Sequence, residues 1–177
     1  MNRKLNTEEI RRVSVDEYRR MAKIPLVLIL DNVRSMHNIG AVLRTADAFR
    51  IEKVVLCGIT ATPPNNEIHK SALGAEFSVC WEYSPETQTP VRTLRDEGYR
   101  VLAVEQTQDS TPLGSLPIDS AAKYALVLGN EVSGVEQATI DLCDGSVEIP
   151  QYGTKHSLNV SVACGIVVWT FFEKLRS

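Results

Sequence analysis

Three stretches of this chain set polar side chains and glycines against apolar runs, where a buried strand would meet a helix. The first is Asn38-Ile39-Gly40-Ala41-Val42-Leu43-Arg44-Thr45-Ala46. Asn38 stands where a helix N-cap would stand, and capping alone is a sufficient reason for it. Gly40 allows close backbone approach, and free N–H groups at a helix start favour an anion. Arg44 is one turn further on. It can project toward that same end or simply face solvent from an otherwise apolar helix. The second stretch is Leu128-Gly129-Asn130-Glu131-Val132-Ser133-Gly134. A strand ending in glycine, then an acid, then another glycine fits a backbone wrapped closely round a ligand, or a plain turn with a surface glutamate. The third stretch runs from Glu148 to Trp169. Ile149-Pro150 closes a strand, a polar glycine-containing loop follows, and Ser157-Leu158-Asn159 opens an apolar helix. Ser157 and Asn159 suit either a ligand or a helix cap. Strand ends and helix starts are where α/β proteins hold ligands. No G-x-G-x-x-G, Walker sequence or hydrolase serine elbow occurs, which argues against dinucleotide, nucleoside-triphosphate and esterase chemistry.

The elements that must position these stretches alternate. Residues 7–23 predict a helix capped by Thr7, with Glu8 and Glu9 in its first turn and Arg11, Arg12, Arg19, Arg20 and Lys23 on its surface. Those arginines form either a solvated face or an arm that contacts phosphates. Pro25 stops the helix, and strands are expected at 26–30, 54–58, 78–81, 99–105, 124–128 and 146–149. Helices are expected at 40–49, 67–73, 89–97, 135–142 and 158–175. Gly98 follows the 89–97 helix as its C′ residue. Residues 31–38 and 106–117 are loops. Such alternation predicts an α/β fold with a mostly parallel sheet covered by helices on both faces.

Composition narrows the class. At 177 residues, with a hydrophobic fraction of 44% and a charged fraction of 23%, the chain is read as one soluble globular domain behind a short basic lead-in, residues 1–24. No apolar run is long enough to cross a membrane, and the charged N-terminus has no secretory apolar region. Cys57, Cys80, Cys143 and Cys164 are widely spaced and read as buried free thiols in a reducing cytoplasm. The three histidines have no metal-ligand spacing, so no metal is expected. Net charge is −3, but its distribution is uneven. Residues 1–24 carry seven Lys/Arg against four Asp/Glu, residues 84–150 four against eleven, and residues 151–177 three against one. A local basic face for nucleic acid therefore survives the acidic total.

Taken together and in order, the three stretches resemble the motifs of the SpoU/TrmH family of SPOUT methyltransferases. NIGAVLRTA is similar to N-x-G-x-x-x-R-[ST]-A, LVLGNEVSGV contains L-G-x-E-x-x-G, and IPQYGTKHSLNVSVA carries I-P followed by S-L-N-V-S-x-A. The resemblance covers residues 26–172, with no departure at the signature positions. It implies transfer of a methyl group from S-adenosylmethionine to a ribose 2′-hydroxyl of RNA, with tRNA favoured over rRNA and guanosine the expected nucleoside. It implies a SpoU-type methyltransferase domain over residues 25–177, a sheet whose C-terminal segment, the QYGTKH loop and the tail after it, threads a trefoil knot, and a homodimer with the site near the interface. The final helix, with Val160, Val162, Ile166, Val167 and Trp169, would help build that interface or pack only within its own subunit. Asn38, Arg44, Glu131, Ser157 and Asn159 become active-site residues, with Glu131 orienting Asn38 or Arg44. Gly129, Leu128, Ile149, Pro150 and Leu158 would hold the cofactor, with Gln106 and Thr107 as a further wall. Arg11, Arg12, Arg19 and Arg20 would contact RNA. The alternatives are a non-catalytic RNA- or cofactor-binding protein on the same fold, and an unrelated nucleotide-binding enzyme.

Overall fold

The computed structural model describes residues 2–6, 9–10 and 12–176. Seven strands make one sheet: β1 (Ile24–Asp31), β2 (Ile51–Cys57), β3 (Trp81–Ser84), β4 (Tyr99–Val104), β5 (Thr111–Pro112), β6 (Lys123–Leu128) and β7 (Gly145–Glu148). Their order across the sheet is β3-β2-β1-β6-β4-β7-β5, and all six pairings are parallel. Each strand therefore ends at the same edge. From β1 the chain builds outward through β2 and β3, then returns to the other flank. The order reverses between β1 and β6, the switch point where open parallel sheets hold ligands.

Helices cover both faces because the strands are apolar on both faces. Leu26, Leu28, Leu30, Leu126 and Leu128 point to one side. There they meet α2 (Met36–Ala48), α3 (Asn66–Ala72), α4 (Ala75–Ser78) and α7 (Val160–Leu175). Val27, Ile29, Val55, Val101 and Val127 point to the other side. They meet Val91 and Leu94 of α5 (Gln88–Asp96), with Ile140 of α6 (Gln137–Ile140) packed beside them.

Several element boundaries differ from expectation, each for a local reason. Among the described residues of the lead-in the helix is α1, Val15–Arg20, capped by Ser14, whose hydroxyl accepts the Glu17 N–H at 3.2 Å. Thr7, Glu8 and Arg11 lie outside the described residues. Of the short helix only Tyr18 is buried, and its hydroxyl donates to the Ala46 carbonyl of α2 at 3.4 Å. Pro25 sits inside β1 instead of ending a helix, at an irregular step in the β1–β2 register between Ile24 and Val27. The third strand is Trp81–Ser84, because residues 75–78 form α4. The helix expected over 135–142 is the single turn α6. Cys80 is exposed, unlike Cys57 and Cys164.

Gly40 is not at a helix start. It lies buried in the body of α2, against α3. A Cβ there would fall 2.1 Å from Ser71 Oγ and 2.3 Å from the Ile68 carbonyl oxygen. Its close approach is thus helix on helix. The last helix divides its apolar residues. Val160, Cys164, Val167, Val168 and Phe171 are buried in the subunit, while Val162, Ile166 and Trp169 face outward. We predict that Gly40→Ala, which must push against the α3 backbone, lowers stability by about 1–3 kcal/mol. The shift in urea midpoint measures it, and an unchanged midpoint would show that the two helices separate freely.

Candidate active site

Helix α2 begins at the switch point, and its first turn needs partners for its free N–H groups. Ser35 is the N-cap: its Oγ accepts the Asn38 N–H at 3.3 Å. Asn38 therefore lies within the first turn and is not the cap that its position in the sequence indicated. The anion favoured at this helix end comes from the protein itself. The Glu131 carboxylate, from the loop after β6, accepts the backbone N–H of Arg34 at 3.0 Å and of Ser35 at 2.9 Å. It also accepts Asn38 Nδ2 at 3.0 Å. Burial pushes the Glu131 carboxyl upward, but these three donors together outweigh it and hold the group below the usual carboxylate range.

The chain of amides continues. With Asn38 Nδ2 committed to Glu131, its Oδ1 accepts Asn159 Nδ2 at 3.1 Å. Asn159 Oδ1 then accepts the N–H groups of Ser161 at 2.9 Å and Val162 at 3.4 Å, capping α7. Asn159 is thus both a helix cap and a member of the cluster. The final helix starts after it, at Val160, which leaves Ser157 and Leu158 in the preceding loop. Of the two partners expected for Glu131, the structure gives it Asn38.

Beside this cluster lies a cavity of about 540 Å³ at the C-terminal edge of β4, β6 and β7. Leu128, Gly129, Ile149, Ser157, Leu158 and Gln106 line it, as do Glu131 and Asn159. The second stretch reaches it through a tight hairpin in which Asn130 and Gly134 exchange backbone hydrogen bonds at 2.9 and 3.0 Å. Gly129 must be glycine, since a Cβ would lie 2.2 Å from the backbone of Gly134 and Val135. Glu105, at the end of β4, secures the far side of the hairpin by accepting the Val135 N–H at 3.0 Å. Gln106 Nε2 reaches the His156 carbonyl at 3.5 Å and so joins the β4 end to the C-terminal loop.

Not every expected residue is brought together. Pro150 and Thr107 do not line the cavity; Thr107 pairs with the Ser146 hydroxyl at 2.5 Å. Arg44 is exposed and lines a separate cleft on the outer side of α2. Six residues at about 100° each carry it well round the helix from Asn38. Arg19 donates to the Phe77 carbonyl at 2.6 Å and Arg20 to the Asp16 carbonyl at 3.0 Å, so both have partners within the chain. Arg12 lines the same outer cleft as Arg44. Missed in the sequence were Ser35 as the cap, which the serine three residues before Asn38 could have signalled, and His156 and Glu148 as cavity walls.

The arrangement can bind, but it offers little acid–base chemistry of its own. Glu131 is saturated with donors, and both asparagines are held by one another. Burial pushes the thiols of Cys57, Cys143 and Cys164 up to about 12, so none supplies a thiolate near neutrality. Among the described lining residues there is no lysine or arginine, while Glu105, Glu131 and Glu148 are acidic. The cavity therefore suits a ligand with positive charge and an apolar part. Among the described residues no group of His, Cys, Asp or Glu could hold a metal ion.

The sequence pattern of the SpoU rRNA Methylase family matches residues 25–169. The chain is 34% identical, over 86% of its length, to a 23S rRNA (guanosine-2′-O-)-methyltransferase, RlmB, of Neisseria meningitidis serogroup B, of which the match covers 60%. It spans about three-fifths of the length of the first curated relatives it matches. In structure it is similar to the TrmH/SpoU tRNA modifying enzyme of A. aeolicus, with a TM-score of 0.80 and 25% identity, covering 92% of this chain and 81% of that one. It is also similar to the AdoMet-bound rRNA methyltransferase of Sinorhizobium meliloti, with a TM-score of 0.79 and 27% identity, covering 94% of this chain and 63% of the other.

The lowered carboxyl of Glu131 gives a pH prediction. A depressed folded-state value means that its contribution to stability is present above the unfolded value of 4.5 and is lost as pH falls through the folded value. The stability gap between the wild type and Glu131→Gln, read from urea midpoints, should be open at pH 7 and narrow below about pH 4.5. A gap that is the same at pH 7 and pH 3.5 would refute the donor-saturated carboxylate.

Proposed function

The chain belongs to the SpoU rRNA Methylase family, and from that premise we propose that it transfers a methyl group from S-adenosylmethionine to a ribose 2′-hydroxyl of RNA. One observation carries the reading: at the sheet's C-terminal edge the hydrogen-bonded cluster of Asn38, Glu131 and Asn159 joins all three motif stretches, and the cavity beside it is walled by the second and third. The donor set fits the cofactor. Leu128, Ile149 and Leu158 offer apolar walls, Gly129 leaves backbone exposed for polar groups, and the acidic rim suits a sulfonium cation. When bound, S-adenosylmethionine supplies an electrophilic methyl carbon. The segment that follows β7, residues 149–159, is the part we assign to the trefoil knot.

The protein's work in this reading is alignment. Glu131 fixes Asn38, Asn38 fixes Asn159, and Asn159 fixes the start of α7, so the polar floor of the site keeps one geometry. The Ser157 hydroxyl lines the cavity without being consumed by that chain. Neither Glu131 nor a permanently charged arginine is suited to take the hydroxyl proton. We assign that proton to the RNA phosphate or to water, and to Arg44 the task of holding the phosphate and stabilising the developing alkoxide.

Arg44 faces away from the cluster of its own chain, so this reading requires a homodimer in which Arg44 acts on the partner's site. The outward apolar residues Val162, Ile166 and Trp169 of α7 support such an interface. For the RNA we favour tRNA over rRNA, supported by the likeness to the A. aeolicus tRNA modifying enzyme, and guanosine as the nucleoside, in the cytoplasm. Labelled S-adenosylmethionine offered with total tRNA and with 23S rRNA tests both levels. Incorporation into tRNA at ribose is expected. Incorporation into rRNA alone would reverse the preference, and none into any RNA would leave a binding protein on this fold.

Subunit complementation tests the dimeric site. Arg44→Ala and Glu131→Gln should each lose on the order of 100-fold in turnover. Mixed and allowed to exchange, they should recover about a quarter of wild-type activity, because half the dimers then carry one intact site of two. No recovery on mixing would place Arg44 in its own chain's site.

A further inference from the structure

The outer face of α2 carries a second cleft, of about 820 Å³, between α1, α2 and α4. Three arginines from different parts of the chain line it: Arg12 from the lead-in, Arg44 from α2 and Arg50 from the turn into β2. Among the described residues no hydrogen bond or ion pair holds any of these three guanidiniums. The one acid among the described lining residues is Asp47, which already accepts the Ser78 hydroxyl. The cleft is therefore electropositive in a protein whose net charge is −3, and opposite in sign to the acidic cavity on the inner side of the same helix.

The walls are built. Tyr18 docks α1 on α2 through the Ala46 carbonyl, and Arg19 ties α1 to α4 through the Phe77 carbonyl. Arg50 holds a left-handed backbone, φ 51°, where glycine would be at ease. An arginine kept there projects its charge at a conformational cost. Phe77, which also lines the cleft, leaves 58% of its surface exposed. Separated cations beside an exposed ring are the elements with which proteins hold single-stranded nucleic acid: guanidiniums on phosphates and a base stacked on the aromatic face.

We infer that this cleft is a second RNA site, which takes the sugar-phosphate backbone of nucleotides flanking the one that is methylated. Flanking phosphates sit on Arg12 and Arg50 and a base rests on Phe77, while Arg44, which lines the same cleft, keeps its task at the reacting ribose. The inference rests on the methyl-transfer reading for its RNA, and it deepens that reading by separating the grip on the strand from the chemistry at the ribose. It also redistributes the basic lead-in. Arg19 and Arg20 serve the local fold, and Arg12 serves the ligand.

The test uses the full chain, total tRNA and a mixed-sequence single-stranded RNA dodecamer, with affinity followed across a potassium chloride series. Arg12→Gln/Arg50→Gln should bind both RNAs about tenfold more weakly at low salt, with the log–log salt slope smaller by roughly 1–2. Phe77→Ala should weaken the dodecamer at least severalfold and leave the slope unchanged. Calorimetric affinity for S-adenosylhomocysteine and the melting temperature should match wild type in all variants. Wild-type affinity and slope in the double arginine variant would overturn the inference. If the double variant loses RNA affinity while no RNA is ever methylated, the methyl-transfer reading falls and the cleft stands. If methylation proceeds and the double variant binds like wild type, the cleft falls alone.

Discussion

The carboxylate of Glu131 is the contact on which the geometry of the site depends. Helix α2 starts with free N–H groups beside the switch point of the sheet. An anion there is favoured, and the protein fills the position from the β6 loop. Because the two parallel strands β1 and β6 are neighbours, their ends bring the glutamate and the helix start within reach. Once the carboxylate is placed, the orientation of Asn38 follows, since only the amide nitrogen can donate to it. Asn159 is then oriented in turn. A single ionic acceptor thus sets two amides and the start of the last helix. The same role removes Glu131 from acid–base duty.

The loops around this contact are braced by a buried companion. Asp31, fully buried at the end of β1, accepts the Thr87 hydroxyl at 2.5 Å and the Glu136 N–H at 3.0 Å. Its neighbour Asn32 accepts the Ile59 N–H on its side chain, and Asn130 Nδ2 on its carbonyl at 2.7 Å. The turns that follow β1, β2 and β6 are in this way fastened to one another. Buried polar groups of this kind are costly unless satisfied, and here the partners are supplied by the chain itself. The glycine hairpin between Asn130 and Gly134 can then be thin and tightly folded without drifting.

The sequence made the sheet plain and left the site's wiring obscure. Leu26–Leu30, Val54–Cys57 and Tyr124–Leu128 are continuous apolar runs of strand length, so their burial and parallel arrangement were legible. The three motif stretches were legible for a related reason: glycine, amide and acid fall where strands end. Helix starts were harder. Ser35 caps α2 ahead of Asn38 because a hydroxyl and an amide can both cap, and spacing alone does not choose between them. Within the described part of the lead-in helix, Val15–Arg20, only Tyr18 is buried. The faces of α2 were not legible at all. Whether Asn38 and Arg44 share a site depends on what each face packs against, and that is decided by α3, α7 and the β6 loop, far away in the chain. Thr107 and Pro150 illustrate the same limit: each lies close in sequence to residues that line the cavity, yet lines none of it.

The amide relay also has a consequence for the order in which the molecule forms. Glu131 and Asn38 are 93 residues apart in the chain, and Asn38 and Asn159 are 121 apart. Contacts of such separation close long loops, whose entropy must be lost before the contacts reward it. A chain emerging from the ribosome can pair β1 with β2, and pack α2 on them, long before residue 159 is made. The cavity has no existence in such an intermediate, because two of its walls are the last loop and the last helix. Cofactor affinity in this fold is therefore a property of the completed chain. A bound ligand would stabilise against global unfolding, with little effect on the local opening of the early half.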